Sequence, residues 1–315
     1  MSINYRVSAR PVVEDRDFDR MGDLALSAPD NALHVVDLPW RLSSPSARMP
    51  ERTRLWEDAS GELLAWAVLQ FPAWHCLDYV VRPDVRQTDL EAEILTWAYD
   101  WLETEAAGHD GHLPFYVSAR EGDTARVAAI ERAGFSRQEW GYVHLVRDLD
   151  QPIPKPAPPP GFVIRSLAGE DEVDAYVDAH RAAFESANMT TGWRRETLRD
   201  PRYVSDLDLV AIAPDGALVG FCVCWITPSI AGQRVAQVEP LGILPAYQRQ
   251  GLGRALLVEG LRRAREHGAG QMDVNAESYN VVSRGAYEAV GFRSAYDAPF
   301  FLRSFGANME SQSGL

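Results

Sequence analysis

The chain has 315 residues, more than one hydrophobic core usually organises, and this length predicts two domains. Its formal net charge of −14 at pH 7 argues against a nucleic-acid partner, because binding to phosphates depends on clustered lysine and arginine side chains. Three cysteines cannot form a disulfide framework, and the sequence has neither a run of eighteen apolar residues nor a signal peptide's apolar segment. These features predict a cytoplasmic protein that binds neither nucleic acid nor a membrane.

The N-terminal half predicts a series of strands and helices. A strand and an acidic helix start lie in "VSARPVVEDRDFDRM", and "DASGELLAWAVLQ" predicts two strands joined by a glycine turn. In "LDYVVRPDVRQTDLEAEILTWAYDWLETEAAG" a strand reaches a proline and a long amphipathic helix follows. The half ends with a helix closing on Gly-Phe, "AAIERAGF", and a strand, "YVHLVRDL".

A proline-rich segment separates this half from the next. Residues 151–160, "QPIPKPAPPP", favour a stiff, extended connector. The predicted domains are therefore residues 1–150 and 161–306, joined by this linker, with residues 307–315 as a flexible tail.

The second half repeats the same order of elements. "VIRSLAGEDEVDAYV", "APDGALVGFCVCW", "VEPLGILPAYQRQGLGRALLVEGLRRAREHG", "GAYEAVGF" and "PFFLRSF" correspond in turn to the segments of the first half. The repeat is a whole domain, so the sequence predicts two tandem copies of one mixed α/β (α+β) unit.

The loop "QRQGLGRALL" lies where a strand gives way to a helix. Backbone N–H groups and the positive end of the helix converge there, which favours an anion such as a phosphate. A dinucleotide-binding loop would need a third glycine where Leu256 stands, and no Gly-Lys-Ser/Thr of a Walker loop occurs in the chain.

This loop resembles the pyrophosphate loop of the GNAT superfamily of acetyl-coenzyme-A-dependent N-acetyltransferases. Gln248, Gly251 and Gly253 match its pattern. A second signature of that family is similar to "NVVSRGAYEAVGF", with Ser283 in place of an alanine and matches at Asn280, Tyr287, Glu288, Gly291 and Phe292. The resemblance covers residues 162–303, and the length and tandem architecture are similar to those of the mycothiol synthases.

The resemblance implies two tandem GNAT-type domains, each a mixed, largely antiparallel sheet flanked by helices. It also implies direct transfer of the acetyl group from acetyl-coenzyme A (acetyl-CoA) to an amine, without a covalent enzyme intermediate or a metal. The implied cofactor-binding residues are Leu241, Gly242 and Ile243 beside the pantetheine and thioester, then Gln248, Arg249, Gln250, Gly251, Leu252, Gly253 and Arg254 at the pyrophosphate, and Asn280 and Ser283.

Two residues are candidates for proton transfer. The resemblance implies that Tyr287 is the general acid that protonates the departing thiolate; the alternative is a core tyrosine. Glu239 is the candidate base that deprotonates the amine; the alternative is a paired or exposed strand residue. Gln237 lies on the same strand face, where the mycothiol synthases carry an acidic residue, and this departure puts the acceptor's identity in doubt.

The N-terminal copy departs from the cofactor motif. With Pro83 aligned to Pro245, Asp89 stands opposite Gly251 and Glu91 opposite Gly253. Alignment of the Gly-Phe pairs places Ile130 opposite Tyr287 and Asp123 opposite Asn280. Carboxylates would repel a pyrophosphate, so we predict that this copy keeps the fold without binding coenzyme A.

The acceptor site is less defined by the sequence. Phe184, Met189 and Trp193 lie in the stretch that covers the acceptor in the family, although packing explains them equally well. His109 and His112 are interpreted as loop residues and not as metal ligands. The sequence therefore predicts an N-acetyltransferase acting on a primary amine of a small molecule in its C-terminal domain; the alternative is a non-catalytic acyl-coenzyme-A sensor or protein-interaction module.

Overall fold

The structure is a computed structural model that describes residues 7–28, 37–72, 74–86, 89–108, 113–227 and 232–306. His109, His112 and the predicted tail at 307–315 lie outside these ranges. In chain order the elements are β1 (Ser8–Arg10), α1 (Asp15–Ser27), α2 (Leu38–Leu42), β2 (Thr53–Glu57), β3 (Leu63–Gln70), β4 (Cys76–Val81), α3 (Leu90–Ala106), β5 (Leu113–Ser118), α4 (Thr124–Arg132), β6 (Ser136–Asp148), β7 (Val163–Ser166), α5 (Val173–Phe184), α6 (Thr191–Arg199), β8 (Asp208–Ile212), β9 (Leu218–Ile226), β10 (Arg234–Ile243), α7 (Leu252–Glu266), β11 (Ala269–Glu277), α8 (Val281–Glu288) and β12 (Arg293–Phe305).

The order of elements from β1 to β6 is repeated from β7 to β12, as the sequence repeat predicts. The sheets are mixed and largely antiparallel, with helices between the strands, and this confirms the predicted fold class. Within the described ranges, every helix is too short or too polar to cross a membrane.

The chain divides into two compact units that do not coincide with its two halves. Unit 1 contains Met1–Val35, Pro45–Tyr142 and Asp297–Leu315, as far as these ranges are described, and unit 2 contains Val36–Ser44 and Val143–Tyr296. The predicted boundaries at 150 and 161 differ from this division in three places: 36–44 and 143–150 fall in unit 2, and 297–306 falls in unit 1. Strand pairing explains the last of these differences, because Phe300 of β12 pairs with Ser118 of β5.

In unit 1 the strands lie in the order β1, β2, β3, β4, β5 and then residues 297–305 of β12. Neighbours are antiparallel except for β4 and β5, which are parallel. Helix α3 covers the sheet with Ile94, Leu95 and Leu102, which are buried in a core shared with β3 and β4. The apolar residues of α3 recur at helical spacing, so one face of the helix meets the sheet.

In unit 2 the order is residues 143–148 of β6, then β11, β10, β9, β8 and β7. Only β10 and β11 form a parallel pair among the strands from β7 to β11. Helix α7 packs Leu256, Leu257 and Leu261 against this sheet. The parallel pair requires a crossover, and α7 provides it.

Candidate active site

Strand β10 changes its pairing in the middle. Its register with β9 shifts between Val238 and Leu241, so Glu239 and Pro240 lie in a bulge. Its parallel register with β11 runs from Arg234 to Gln237. Beyond Gln237, β10 follows β9 alone among the described strands, and one edge of the segment Leu241–Ile243 is left for another partner. Bulges of this kind redirect side chains and end strand pairing, often beside active sites.

Gly242 is required by the packing of the neighbouring strand. A Cβ atom at this position would lie 2.3 Å from Cζ of Phe221, well inside van der Waals contact. Phe221 is fully buried, so it has no room to move away. The glycine therefore lets an aromatic ring of β9 lie directly against the backbone that the resemblance places beside the thioester.

The predicted phosphate loop ends in a helix with an uncapped N-terminus. Gly251 is the N-cap of α7, with φ of +90° and no side-chain cap, and a Cβ placed on it would meet no atom within 4 Å. The N–H groups of the first helical turn, at Leu252, Gly253 and Arg254, have no partner within the helix. These donors and the positive end of the helix dipole form a site suited to an anion.

Side chains within the loop stabilise its own backbone. Gln248 Nε2 donates to the carbonyl of Ile243 at 3.1 Å, and Gln250 Nε2 donates to the carbonyl of Ala246 at 3.2 Å. Arg249 adopts a left-handed φ of +58° and is exposed. Leu252 is buried in the core, so only its backbone is available to a ligand.

Helix α8 carries the second signature. Asn280 is its N-cap and accepts a hydrogen bond from the N–H of Ser283 at 3.0 Å, a cap that explains the side chain without a ligand. Tyr287 lies in the last turn and is buried, with its ring 5.6 Å from that of Phe292. Burial raises the pKa of Tyr287 above its usual value, partly offset by the Ser283 side chain, so the phenol stays protonated at neutral pH.

Glu239 projects from the bulge, and its carbonyl accepts a hydrogen bond from Trp225 Nε1 at 2.8 Å. Burial raises the pKa of its carboxyl to about 7, with a further contribution from the negative charge of Asp37. Arg41 and the amide of Gln237 act in the opposite direction. The charge of Glu239 also contributes to the raised pKa of Tyr287, so the two candidate residues lie in one electrostatic site.

Three predicted acceptor residues lie in or beside α5 and α6, with different exposure. Met189 is fully buried and Trp193 nearly so, with Trp193 Nε1 donating to Ser43 Oγ at 3.3 Å. Phe184 is 44% exposed, with its ring 4.7 Å from that of His180. The exposure of Phe184 favours contact with a ligand, whereas the burial of Met189 and Trp193 favours packing.

The structure adds residues that sequence reasoning missed. His180 is buried beside Phe221, and burial lowers its pKa to about 4, so it is neutral at pH 7. Asp37, which precedes α2, and Arg41, which lies within it, both affect the pKa of Glu239 although they come from the N-terminal half. The sequence around His180 and Asp37 gives no local signal of these environments, because one residue is part of an amphipathic helix and the other only precedes "LPW".

Unit 1 begins its long helix at the corresponding position, with carboxylates in place of the glycines and a different backbone conformation at the N-cap: φ is −71° at Asp89 and +90° at Gly251. Helix α3 begins after Asp89 as its N-cap, as α7 begins after Gly251, so the ungapped alignment places the two helix starts opposite each other. Glu91, opposite Gly253, is buried and accepts a hydrogen bond from the hydroxyl of Tyr79 at 2.6 Å. A cavity of about 680 Å³ remains between α3 and α4, and both carboxylate residues line it.

Comparison with known proteins defines the class. The family model for the Acetyltransferase (GNAT) family matches residues 171–292, so the protein is an acyltransferase. A mycothiol acetyltransferase of Acidothermus cellulolyticus is 30% identical over 250 residues, 75% of this chain and 73% of the relative. The chain belongs to the acetyltransferase (GNAT) family, and the family and enzyme class predicted from the sequence are confirmed.

Other similar proteins support the tandem fold. A mycothiol acetyltransferase of Nocardioides sp. is 28% identical over 289 residues, 87% of this chain and 92% of that protein. The match to its counterpart in Saccharomonospora viridis, 28% identical over 201 residues, spans 61% of this chain and 65% of that protein. A GCN5-related N-acetyltransferase from Sphaerobacter thermophilus has a TM-score of 0.67 and 19% identity, over 97% of this chain and 98% of that one. A tandem GNAT protein from the clavulanic acid biosynthesis pathway has a TM-score of 0.66 and 17% identity, over 96% of this chain and 100% of that one.

Proposed function

We propose that unit 2 transfers the acetyl group of acetyl-CoA directly to a primary amine of a small molecule, and that unit 1 binds no coenzyme A. The observation that carries this proposal is the position of Glu239. Its carboxyl has a pKa of about 7 and lies in the bulge beside the backbone segment Leu241–Ile243. A base with a pKa near the working pH combines a large deprotonated fraction with useful basicity.

The cofactor would lie along the edge of β10 beyond Gln237, where its pairing with β11 has ended, and at the start of α7. The pyrophosphate would accept hydrogen bonds from the N–H groups that follow Gly251, with Arg249 and Arg254 as exposed positive charges nearby. The pantetheine would run along the unpaired edge of β10. Asn280 and Ser283, at the start of α8, would border the same cleft.

The reaction then follows from the groups in unit 2. Glu239 takes a proton from the ammonium group of the acceptor, and the freed nitrogen lone pair attacks the thioester carbon. Backbone N–H groups of Leu241–Ile243 stabilise the oxyanion that develops on the carbonyl oxygen. The C–S bond breaks, and Tyr287 donates its proton to the departing thiolate of coenzyme A.

The acceptor is proposed as a class. The relatives from Nocardioides and Acidothermus are named mycothiol acetyltransferases, which favours an amine on a small, polar molecule. Gln237 is uncharged and already donates to Asp37, so it offers the acceptor no negative charge of its own. The proposal therefore includes aminosugar thiols of the mycothiol type, aminoglycosides and polyamines, with Phe184 as an exposed contact.

The test is release of free thiol from acetyl-CoA with a panel of amines from these three groups. Acetylated product of the expected mass, formed by the wild-type protein and lost in Glu239→Gln, is the expected result. Binding of acetyl-CoA without turnover on any amine would instead support a non-catalytic acyl-coenzyme-A sensor. Acetylation that persists undiminished in Glu239→Gln would contradict the role of this base.

A further inference from the structure

The short helix α2 belongs to unit 2 although it lies in the N-terminal half of the sequence. Trp40 packs against two aromatic side chains, with its ring 5.1 Å from that of Trp193 and 6.1 Å from that of His180. Ser43 accepts a hydrogen bond from Trp193. These contacts fix the segment 37–44 against α5 and α6.

Asp37, the N-cap of α2, is buried and held by two strands. Gln237 Nε2 of β10 donates to its Oδ1, and Asn275 Nδ2 of β11 lies 3.2 Å from each of its oxygens. Asn275 in turn accepts from His144 Nδ1 at 2.8 Å, and His144 Nε2 lies 3.2 Å from Asp273 Oδ2. A buried carboxylate with this many fixed donors has a defined position.

The strand alternation of β10 places Gln237 and Glu239 on one face. Gln237, two residues before Glu239 on the same strand, therefore links the strand of the base to the Asp37 carboxylate through the hydrogen bond that its Nε2 donates. Two carboxylates in one site repel each other, and the negative charge of Asp37 accordingly raises the pKa of Glu239.

We propose that Asp37 is a positioning residue for Glu239: its carboxylate, anchored by Gln237 and Asn275, acts electrostatically on the base and makes acetyl transfer in unit 2 depend on a segment of the N-terminal half. This inference rests on the proposed role of Glu239. It assigns Asp37 no contact with substrate.

The effect of Asp37 operates among several other groups around Glu239. Burial and the Asp37 charge raise the pKa of Glu239, and Arg41 lowers it. Removal of the Asp37 charge and removal of the Arg41 charge should therefore shift the pKa of Glu239 in opposite directions. Among the described residues, the charge of Glu239 also acts on two phenols, Tyr176 on α5 and Tyr287 on α8, and Cys222 and Cys224 of β9 act on Tyr287.

The experiment measures the titration of Glu239 itself and needs no acceptor. In the full chain labelled with ¹³C at glutamate carboxyl carbons, the Glu239 signal is identified by its loss in Glu239→Gln. We expect a midpoint near 7 in the wild type, lowered by about one unit in Asp37→Asn. Arg41→Gln should raise the midpoint, and Asp37→Glu, which keeps the charge, should restore most of the wild-type value.

Asp215→Asn, at an exposed turn between β8 and β9, is the matched control and should leave the midpoint unchanged. An unmoved midpoint in Asp37→Asn, or an ordinary glutamate midpoint in the wild type, would overturn the inference. If Asp37→Asn does not fold, Arg41→Gln still tests the inference. A Glu239 midpoint that is unchanged or lower in Arg41→Gln would contradict it. If the midpoints shift as expected while Glu239→Gln retains full acetyl transfer, the proposed base is wrong and the coupling stands.

Discussion

The negative charge of Glu239 raises the pKa of Tyr287, a residue 48 positions later on a different element, in addition to the larger effect of burial. One residue lies in the bulge of β10 and the other in the last turn of α8. The carboxyl of Glu239 exchanges its proton near neutral pH, whereas the phenol of Tyr287 stays protonated there. Acetyl transfer needs both kinds of group, one to take the proton of the amine and one to protonate the thiolate.

Tyr287→Phe tests the proposed acid. We expect turnover with a confirmed amine acceptor to fall about 10²- to 10⁴-fold, because the thiolate loses its proton donor. The affinity for acetyl-CoA, measured by calorimetry, should stay close to that of the wild type, since the ring remains in the core beside Phe292. Tyr116→Phe, which removes a hydroxyl from a strand of unit 1, is the control. Wild-type turnover in Tyr287→Phe would leave this tyrosine a purely structural residue.

The pH dependence of activity tests Glu239. Since its pKa is about 7, kcat/KM of the wild type should rise as pH increases through 7 and then level off. Glu239→Gln should lose this limb, and its deficit should shrink at high pH, where the amine is already deprotonated. A deficit that is the same at every pH would argue for a structural role.

Stability offers a second measure of the same group. A glutamate whose pKa is raised from 4.5 to about 7 stabilises the folded state below pH 4.5, and this contribution is lost as pH rises through 7. Relative to the wild type, Glu239→Gln should therefore gain thermal stability between pH 5 and pH 8, by about 3 kcal/mol at most. The melting temperatures of both proteins across this range provide the measurement. A difference in Tm that does not change with pH would contradict the raised pKa.

Local patterns in the sequence predicted the elements that carry the candidate site residues. The glycine loop, the Asn-to-Phe signature and the acid before Pro240 are each contained in a few consecutive residues, and the order of elements follows from hydrophobic periodicity and turn residues. The structure places them on β10, α7 and α8 of the same unit. Motifs of this kind are readable because loop and helix-start geometry depends on neighbouring residues.

Long-range features could not be predicted in this way. The membership of α2 and of residues 143–148 in unit 2 depends on partners such as Trp193 and β11, more than a hundred positions away in the sequence. The burial of Met189 and Trp193 is likewise decided by tertiary packing, since an aromatic or thioether side chain suits a core and a ligand pocket equally well. Sequence periodicity contains no information on these contacts.

Gly251→Asp tests the phosphate loop. A carboxylate at the start of α7 would face the pyrophosphate of acetyl-CoA, and we expect affinity to fall at least about tenfold from charge repulsion. Gly216 is a closely matched control, because it is also exposed, with φ of +88° against +90° at Gly251, and a Cβ at either would meet no atom within 4 Å. Gly216→Asp should therefore carry the same backbone strain and bind acetyl-CoA normally. Equal affinity in Gly251→Asp, Gly216→Asp and the wild type would show that the pyrophosphate lies elsewhere.

The number of coenzyme A molecules bound per chain tests the loss of the site in unit 1. Asp89 occupies the position of Gly251, and Glu91, opposite Gly253, is fixed by the hydroxyl of Tyr79, so both carboxylates border the cavity where a phosphate would have to lie. The cavity is large enough for a ligand, and Arg86, Arg132 and Arg303 line it together with the two carboxylates. Arg86 is already paired with Asp123. The prediction depends on the helix start, where each carboxylate beside a pyrophosphate would cost free energy that the helix dipole, at about 0.3–1 kcal/mol, does not offset. Calorimetric titration of the full chain should give one acetyl-CoA per chain, and Gly251→Asp should remove it. A stoichiometry near two, with one site surviving in Gly251→Asp and lost on a further charge reversal at Arg132 beside the cavity of unit 1, would show that unit 1 binds the cofactor in spite of its carboxylates.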